Sequence, residues 1–295
     1  MIEVEDLHKR YRHMKAVDGL SFTAKPGEVT GFLGPKGAGK TTTIDMILGL
    51  AQPDGGEARI NGKPFRELDR PAATVGAVLA GGAFHDRRSA RASLHATAVA
   101  AGFPQSRIAE VLEAVGLGDA PNRHVGAYSL GMRQRLSLAQ ALLGDPDVLI
   151  LDEPGNGLDP AGLKWLRDTL RNLAHDEGKT VMLSSHILSE VQETVDVAVV
   201  IAEGQLMSEF SLADADAGER VVIARAPKAQ ELASAIERTG DARVSRDGEQ
   251  LRITGLSASR VGEIALDAGV ALSDLELEHR SLEDRYMELT QGKGR

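Results

Sequence analysis

Cysteine is absent from this 295-residue chain. Disulfides, thiolate metal sites and cysteine nucleophiles are therefore excluded, and a reducing cytoplasm fits. Aromatic residues are scarce at 3 %, against 42 % apolar residues in all. A sizeable core is possible, but Ala, Leu, Val and Gly must fill it. No apolar run approaches the roughly 18 residues that a membrane-spanning helix needs. The first residues, MIEVEDLHKRYRH, are charged rather than signal-like. A soluble chain is expected, reaching a membrane only through a partner. Basic residues are also in the minority, 34 against 43 acidic ones, for a net charge of −9. That balance argues against nucleic acid as a partner.

What the chain does have is strand alternating with helix. IEVEDL, GLSFTA and EVTGFLG read as strands, the last buried and entering a glycine-rich loop. TTTIDMILGL has helical spacing, with Ile44, Ile47 and Leu48 on one side. DVLILDEP and KTVMLSSH are continuous apolar runs, as expected of parallel strands covered on both faces. VDVAVVIAEG adds another strand ended by a turn. This pattern predicts a layered α/β domain. Polar LADADAGER interrupts it near residue 212. The remainder reads βαββαβ, with a hairpin at Asp247-Gly248, which predicts a small α+β ferredoxin-like module. A further helix is expected around SLEDRYMELT. The predicted division is residues 1–212 and 217–295.

The loop GPKGAGKTT runs from Gly34 through Pro35, Lys36, Gly37, Ala38, Gly39 and Lys40 to Thr41 and Thr42. Gly34, Gly39, Lys40 and Thr41 satisfy the phosphate-loop spacing G-x-x-x-x-G-K-[ST]. Glycines let backbone N–H groups wrap a phosphate, and the following helix presents its positive end. Lys40 is placed to reach the outer phosphates of a nucleotide, and the Thr41 hydroxyl to ligate Mg²⁺. An acid at the end of an apolar strand suits a magnesium-bearing carboxylate, and LILDEP supplies Asp152. Its neighbour Glu153 is the candidate general base. In YSLGMRQR, Ser129 reads as an N-cap and Gly131 permits close approach at another helix N-terminus.

In this order, GPKGAGKT, YSLGMRQR, LILDEP, the N-G-L-D turn and SSH, the chain resembles the ATP-binding-cassette (ABC) ATPases over about residues 1–210. The resemblance implies a P-loop NTPase cassette with a RecA-like core, an antiparallel β subdomain and a helical subdomain. It implies ATP and Mg²⁺ as ligands, with two cassettes meeting head to tail. ATP on Lys40 of one would be closed over by Ser129 and Gly131 of a second copy or a paralogous cassette. Asp159 matches the family's inter-subunit contact, His186 its switch histidine, and Tyr11 the aromatic on which adenine stacks.

Three positions depart from the family pattern. Lys36 stands where Asn is common, and is expected to point to solvent because a loop lysine is costly to bury. Gly155 replaces the usual Thr, a change expected to be tolerated. Ala80 falls where the family has a glutamine that links the metal to the membrane partner. Alanine cannot ligate, so either His85 or Asp86 substitutes or the link is weaker. The replaced glutamine, the SLGMRQR form of the signature and the ending SLEDRYMELT resemble drug- and antibiotic-resistance exporters. They imply an ATPase subunit on the cytoplasmic face of the membrane, docked on a separately encoded permease through the segment from Ala80 to about Ala100. The alternatives are a soluble ABC ATPase acting on ribosomes or DNA, and a slow nucleotide-dependent regulator.

Overall fold

The computed structural model describes residues 1–79, 84–187, 192–212, 221–240 and 242–278. These fall into two compact units, residues 1–212 and 221–278. Ala80, the segment 213–220 on which the sequence break was placed, and SLEDRYMELT lie outside the described residues.

The first unit opens with β1 (Ile2–Tyr11) and β2 (Met14–Ala24), then β3 (Val29–Leu33) and α1 (Lys40–Ile47). β4 (Gly55–Ile60), α2 (Pro71–Thr74) and β5 (Val75–Val78) follow. Next come α3 (Ala90–Ala101), α4 (Ser106–Ala114) and α5 (Leu130–Ala141). The unit closes with β6 (Val148–Leu151), α6 (Pro160–His175), β7 (Thr180–Ser185), β8 (Val197–Ala202) and β9 (Gln205–Ser211).

Two sheets are built from these strands. β2-β1-β4 is antiparallel, and β5-β6-β7-β3-β8-β9 is parallel except for its last strand. Every residue of β3, β6 and β7 is buried, which explains their unbroken apolar runs: both faces are covered. Because β7 lies between β6 and β3, the ends of three strands stand side by side. Those ends carry the phosphate loop, the SSH segment and the Asp152–Glu153 pair. The carboxyl edge of a parallel sheet is where open α/β folds bind ligands.

Phe22 of β2 stacks on Phe32 of β3 with ring centroids 5.0 Å apart. In a chain with so few aromatics this pair ties one sheet to the other, contributing ~0.5–1.5 kcal/mol beyond its buried area. α3, α4 and α5 pack on one another around Leu94, Ala98, Ile108, Leu112 and Leu136, all buried. α3 begins where the Ser89 hydroxyl accepts from Ala92 N at 3.1 Å, and it stops at Gly102, whose φ of 71° favours glycine. A parallel core sheet, an antiparallel sheet and a helical layer are thus all present.

The second unit comprises β10 (Val221–Arg225), α7 (Ala229–Glu237), β11 (Arg243–Asp247), β12 (Gln250–Thr254), α8 (Ala258–Asp267) and β13 (Asp274–Glu278). Its sheet order is β11-β12-β10-β13, antiparallel throughout. That is the split-βαβ, ferredoxin-like arrangement that βαββαβ predicts. Val222, Ala224, Leu251 and Ile253 of the sheet and Leu232, Ile236 and Val261 of the helices form its core.

Candidate active site

The phosphate loop links β3 to α1, and two of its glycines are required by space. A Cβ on Gly34 would lie 2.4 Å from the Ile201 carbonyl oxygen, and one on Gly39 would lie 2.4 Å from that of Ala16. Gly39 also has φ 104°, a conformation that L side chains rarely adopt. Between them Ala38 is buried, whereas Pro35, Lys36 and Gly37 are exposed. Lys36 therefore points to solvent, as expected. Its charge still reaches Lys40, whose ammonium is pushed below its ordinary pKa, chiefly by burial. Glu153 and Asp152 oppose that shift and Lys36 adds to it.

Lys40 is the centre of the arrangement. Its Nζ donates to the Gly34 carbonyl at 2.6 Å and to that of Pro35 at 3.2 Å, and lies 3.6 Å from Glu153 Oε1. The other carboxylate oxygen of Glu153, Oε2, is 2.7 Å from His186 Nδ1. An ionised carboxylate can only accept, so the proton of that contact sits on the imidazole. The Thr41 hydroxyl donates to Asp152 Oδ2 at 3.0 Å. Asp152 is buried, and it also receives a 2.5 Å bond on Oδ1 from the Ser184 hydroxyl. Residues 111 positions apart in sequence thus share one hydrogen bond. Thr42 flanks it, half-buried. Asp45 on α1 belongs nearby too, its carboxyl raised by burial and by the charge of Asp152.

The other predicted contacts stand apart from that group. Ser129 caps α5, its Oγ accepting from Met132 N at 3.2 Å, and Asp159 caps α6, its Oδ1 accepting from Gly162 N at 2.8 Å. Pro160 at the first helical position of α6 supports the same start. The two caps are neighbours: Leu130 packs on Gly157, and Gly131 faces Leu158. Tyr11 is 46 % exposed at the end of β1, with Lys9 Nζ 5.4 Å from its ring centre. Among the described residues, no hydrogen bond or ion pair joins Ser129, Gly131, Asp159 or Tyr11 to Lys40, Glu153 or His186.

The sequence assigns several participants no role. Ser184 is one: it opens the SSH segment, in which only His186 carries an expected function. Asp86, offered as a substitute for the missing glutamine, instead pairs with Arg133 of α5 at 2.7 Å. His85 Nδ1 accepts from Arg87 N at 3.2 Å. Arg135 of α5 lies 4.0 Å over the ring of Trp165 on α6 and donates to the Val115 carbonyl at 2.9 Å. Gly155 sits in the turn after Glu153, its carbonyl accepting from Leu158 N at 3.1 Å.

Residues 17–156 match the family model described as ABC transporter, and residues 220–283 match a domain of unknown function, DUF8746. A Bacillus subtilis ABC transporter ATP-binding protein, YhcH, is 36 % identical over 292 residues, 98 % of this chain and 96 % of its own. The chain belongs to the ABC transporter ATP-binding family. The cassette is also 44 % identical over 215 residues to the bacitracin transport ATP-binding protein BcrA of Bacillus licheniformis, covering 71 % of this chain and 69 % of that one. A solved ATP-binding subunit of an ABC transporter superposes with TM-score 0.65 at 27 % identity, over 74 % of this chain and 92 % of the other. The cassette is an ATPase of this class, and among its described residues no helix is long and apolar enough to cross a membrane.

Proposed function

We propose that this cassette hydrolyses ATP to drive a membrane exporter whose spanning subunit is a separate chain, with antibiotic-like or lipid-like molecules as cargo. The observation that carries the chemistry is the single group formed by Lys40, Thr41, Asp152, Glu153 and His186 at the edge of the parallel sheet. The cargo class rests on the likeness to the bacitracin transport protein.

In this reading the N–H groups of residues 34–42 hold the phosphates, and Lys40 neutralises their charge. A hydroxyl and a carboxylate oxygen converge at Thr41 and Asp152, the hard-oxygen donors that Mg²⁺ takes. These two residues would hold the ion, which supplies charge neutralisation at the transferred phosphoryl group. Glu153 accepts the proton of the water that attacks the γ-phosphorus, and ADP carries away the bridging oxygen. His186, bonded to Glu153, orients that carboxylate and faces the γ-phosphate. Tyr11 stacks on adenine.

The caps at Ser129 and Asp159, with Gly131, act on the nucleotide of a second copy or a paralogous cassette. ATP closes two cassettes head to tail and hydrolysis reopens them, at the cytoplasmic face of the membrane. The unit from about residue 217 onward is an accessory domain. Turnover of Glu153→Gln tests the core of the proposal. It should fall at least ~100-fold, the low end for a general base, while a fluorescent ATP analogue still binds. Near-normal turnover removes Glu153 from that role.

A further inference from the structure

Ser184 stands fully buried on β7, between the strand that ends in the phosphate loop and the strand that ends in Asp152. Its hydroxyl makes two bonds. It donates its one proton to Asp152 Oδ1 at 2.5 Å, and it accepts the backbone N–H of Glu153 at 2.9 Å. No role in that pair can be exchanged, because an ionised carboxylate cannot donate and an N–H cannot accept.

We infer that Ser184 is a positioning residue for hydrolysis, one hydroxyl that sets the orientation of both carboxylates. Two consequences of its bonds support this. With Oδ1 taken by Ser184, it is Oδ2 of Asp152 that faces the Thr41 hydroxyl at 3.0 Å, so the carboxylate cannot rotate without losing one bond or the other. The second consequence concerns the backbone. Glu153 has φ 52°, left-handed for a residue with a Cβ. Such a conformation persists only where its surroundings impose it. The Asp152 N–H is held by the Val78 carbonyl at 2.7 Å, and the next N–H along, that of Glu153, is held by Ser184. From this turn the Glu153 side chain reaches Lys40 on one oxygen and His186 on the other. An extended backbone at the same position would aim the carboxylate elsewhere.

The inference rests on the reading of Glu153 as general base, and it extends that reading to a residue that need not touch nucleotide. Ser184→Ala should lower kcat about 10- to 100-fold, the usual cost of losing a group that orients a metal ligand. Affinity for a fluorescent ATP analogue should change less than ~3-fold, because the phosphate loop is untouched. In a Glu153→Gln background the same change should slow residual turnover by a smaller factor than in the native chain, since only the part exerted through Asp152 remains.

Ser184→Thr and Ser184→Val form a matched pair of equal shape, one with the hydroxyl and one without. The Thr variant should turn over at least ~10-fold faster than the Val variant if both melt at similar temperatures. This pair decides the matter should Ser184→Ala fail to fold. Equal rates for Thr and Val, unchanged kcat in a folded Ser184→Ala, or a parallel loss of nucleotide affinity would each overturn the inference. Those failures are separate from that of the underlying reading, which falls if Glu153→Gln alone hydrolyses ATP normally.

Discussion

The carboxylate end of the cassette and its signature end are built differently. Lys40, Asp152, Glu153 and Ser184 are buried or half-buried and bonded to one another across three adjacent strand ends. Ser129 and Asp159 are exposed, and each bonds its own helix terminus. Chemistry that must hold charges to fractions of an ångström is wired through the sheet. Groups proposed to meet a second molecule are carried on helix starts and point outward. A helix N-terminus needs nothing further from its own chain to receive an anion, so this end can be prepared locally and completed from outside.

The sharpest way to break this contrast is by mixing inactive chains. Lys40→Ala spoils the inward end and Ser129→Arg the outward one, and each alone should be close to inactive. Mixed, they should recover about one competent site per mixed dimer, read as ATPase rate against mixing ratio. No recovery at any ratio would mean that the two ends do not serve a shared site.

A smaller effect is expected at Tyr11. Aromatic stacking on a base contributes roughly 1–3 kcal/mol, so Tyr11→Ala should weaken ATP binding on the order of tenfold. The melting temperature should hardly move, because this ring is half-exposed. An affinity for ATP that Tyr11→Ala leaves unchanged would detach Tyr11 from the base. Smallest is Asp159→Ala. Loss of the α6 cap should cost ~1 kcal/mol of stability in urea unfolding. A change in turnover much larger than this local loss would mark the exposed carboxylate as a contact to another chain. Turnover that simply follows stability would leave it a cap.

Much of the fold could be read from the chain because its signals are local. Continuous apolar runs marked β3, β6 and β7, and the order βαββαβ anticipated the antiparallel sheet of the second unit. The phosphate loop declared itself through glycines whose spacing is forced by close backbone approach. What escaped reading depends on pairs distant in sequence. Ser184 looks like a small residue in a buried strand, and only the sheet order shows that Asp152 and Glu153 lie beside it. Its place in the SSH segment, among buried hydroxyls at the end of an apolar run, was the available hint, since a buried hydroxyl must find a partner. Asp86 was read as a candidate for metal work. Its actual partner, Arg133, lies 47 positions further along the chain. Arg135 and Trp165 likewise meet across two helices with no periodicity in common.

The left-handed backbone of Glu153 carries a consequence for how this protein divides its free energy. Glycine and asparagine fit such a conformation more readily than glutamate. A chain selected for robustness alone would place one of them after Asp152. Keeping glutamate there forgoes stability of about 1 kcal/mol, and the hydroxyl beneath it and the lysine and histidine around its carboxylate hold the arrangement together. The cassette thus sets thermal endurance against turnover at a single backbone position, and substitutions there should shift the two in opposite directions.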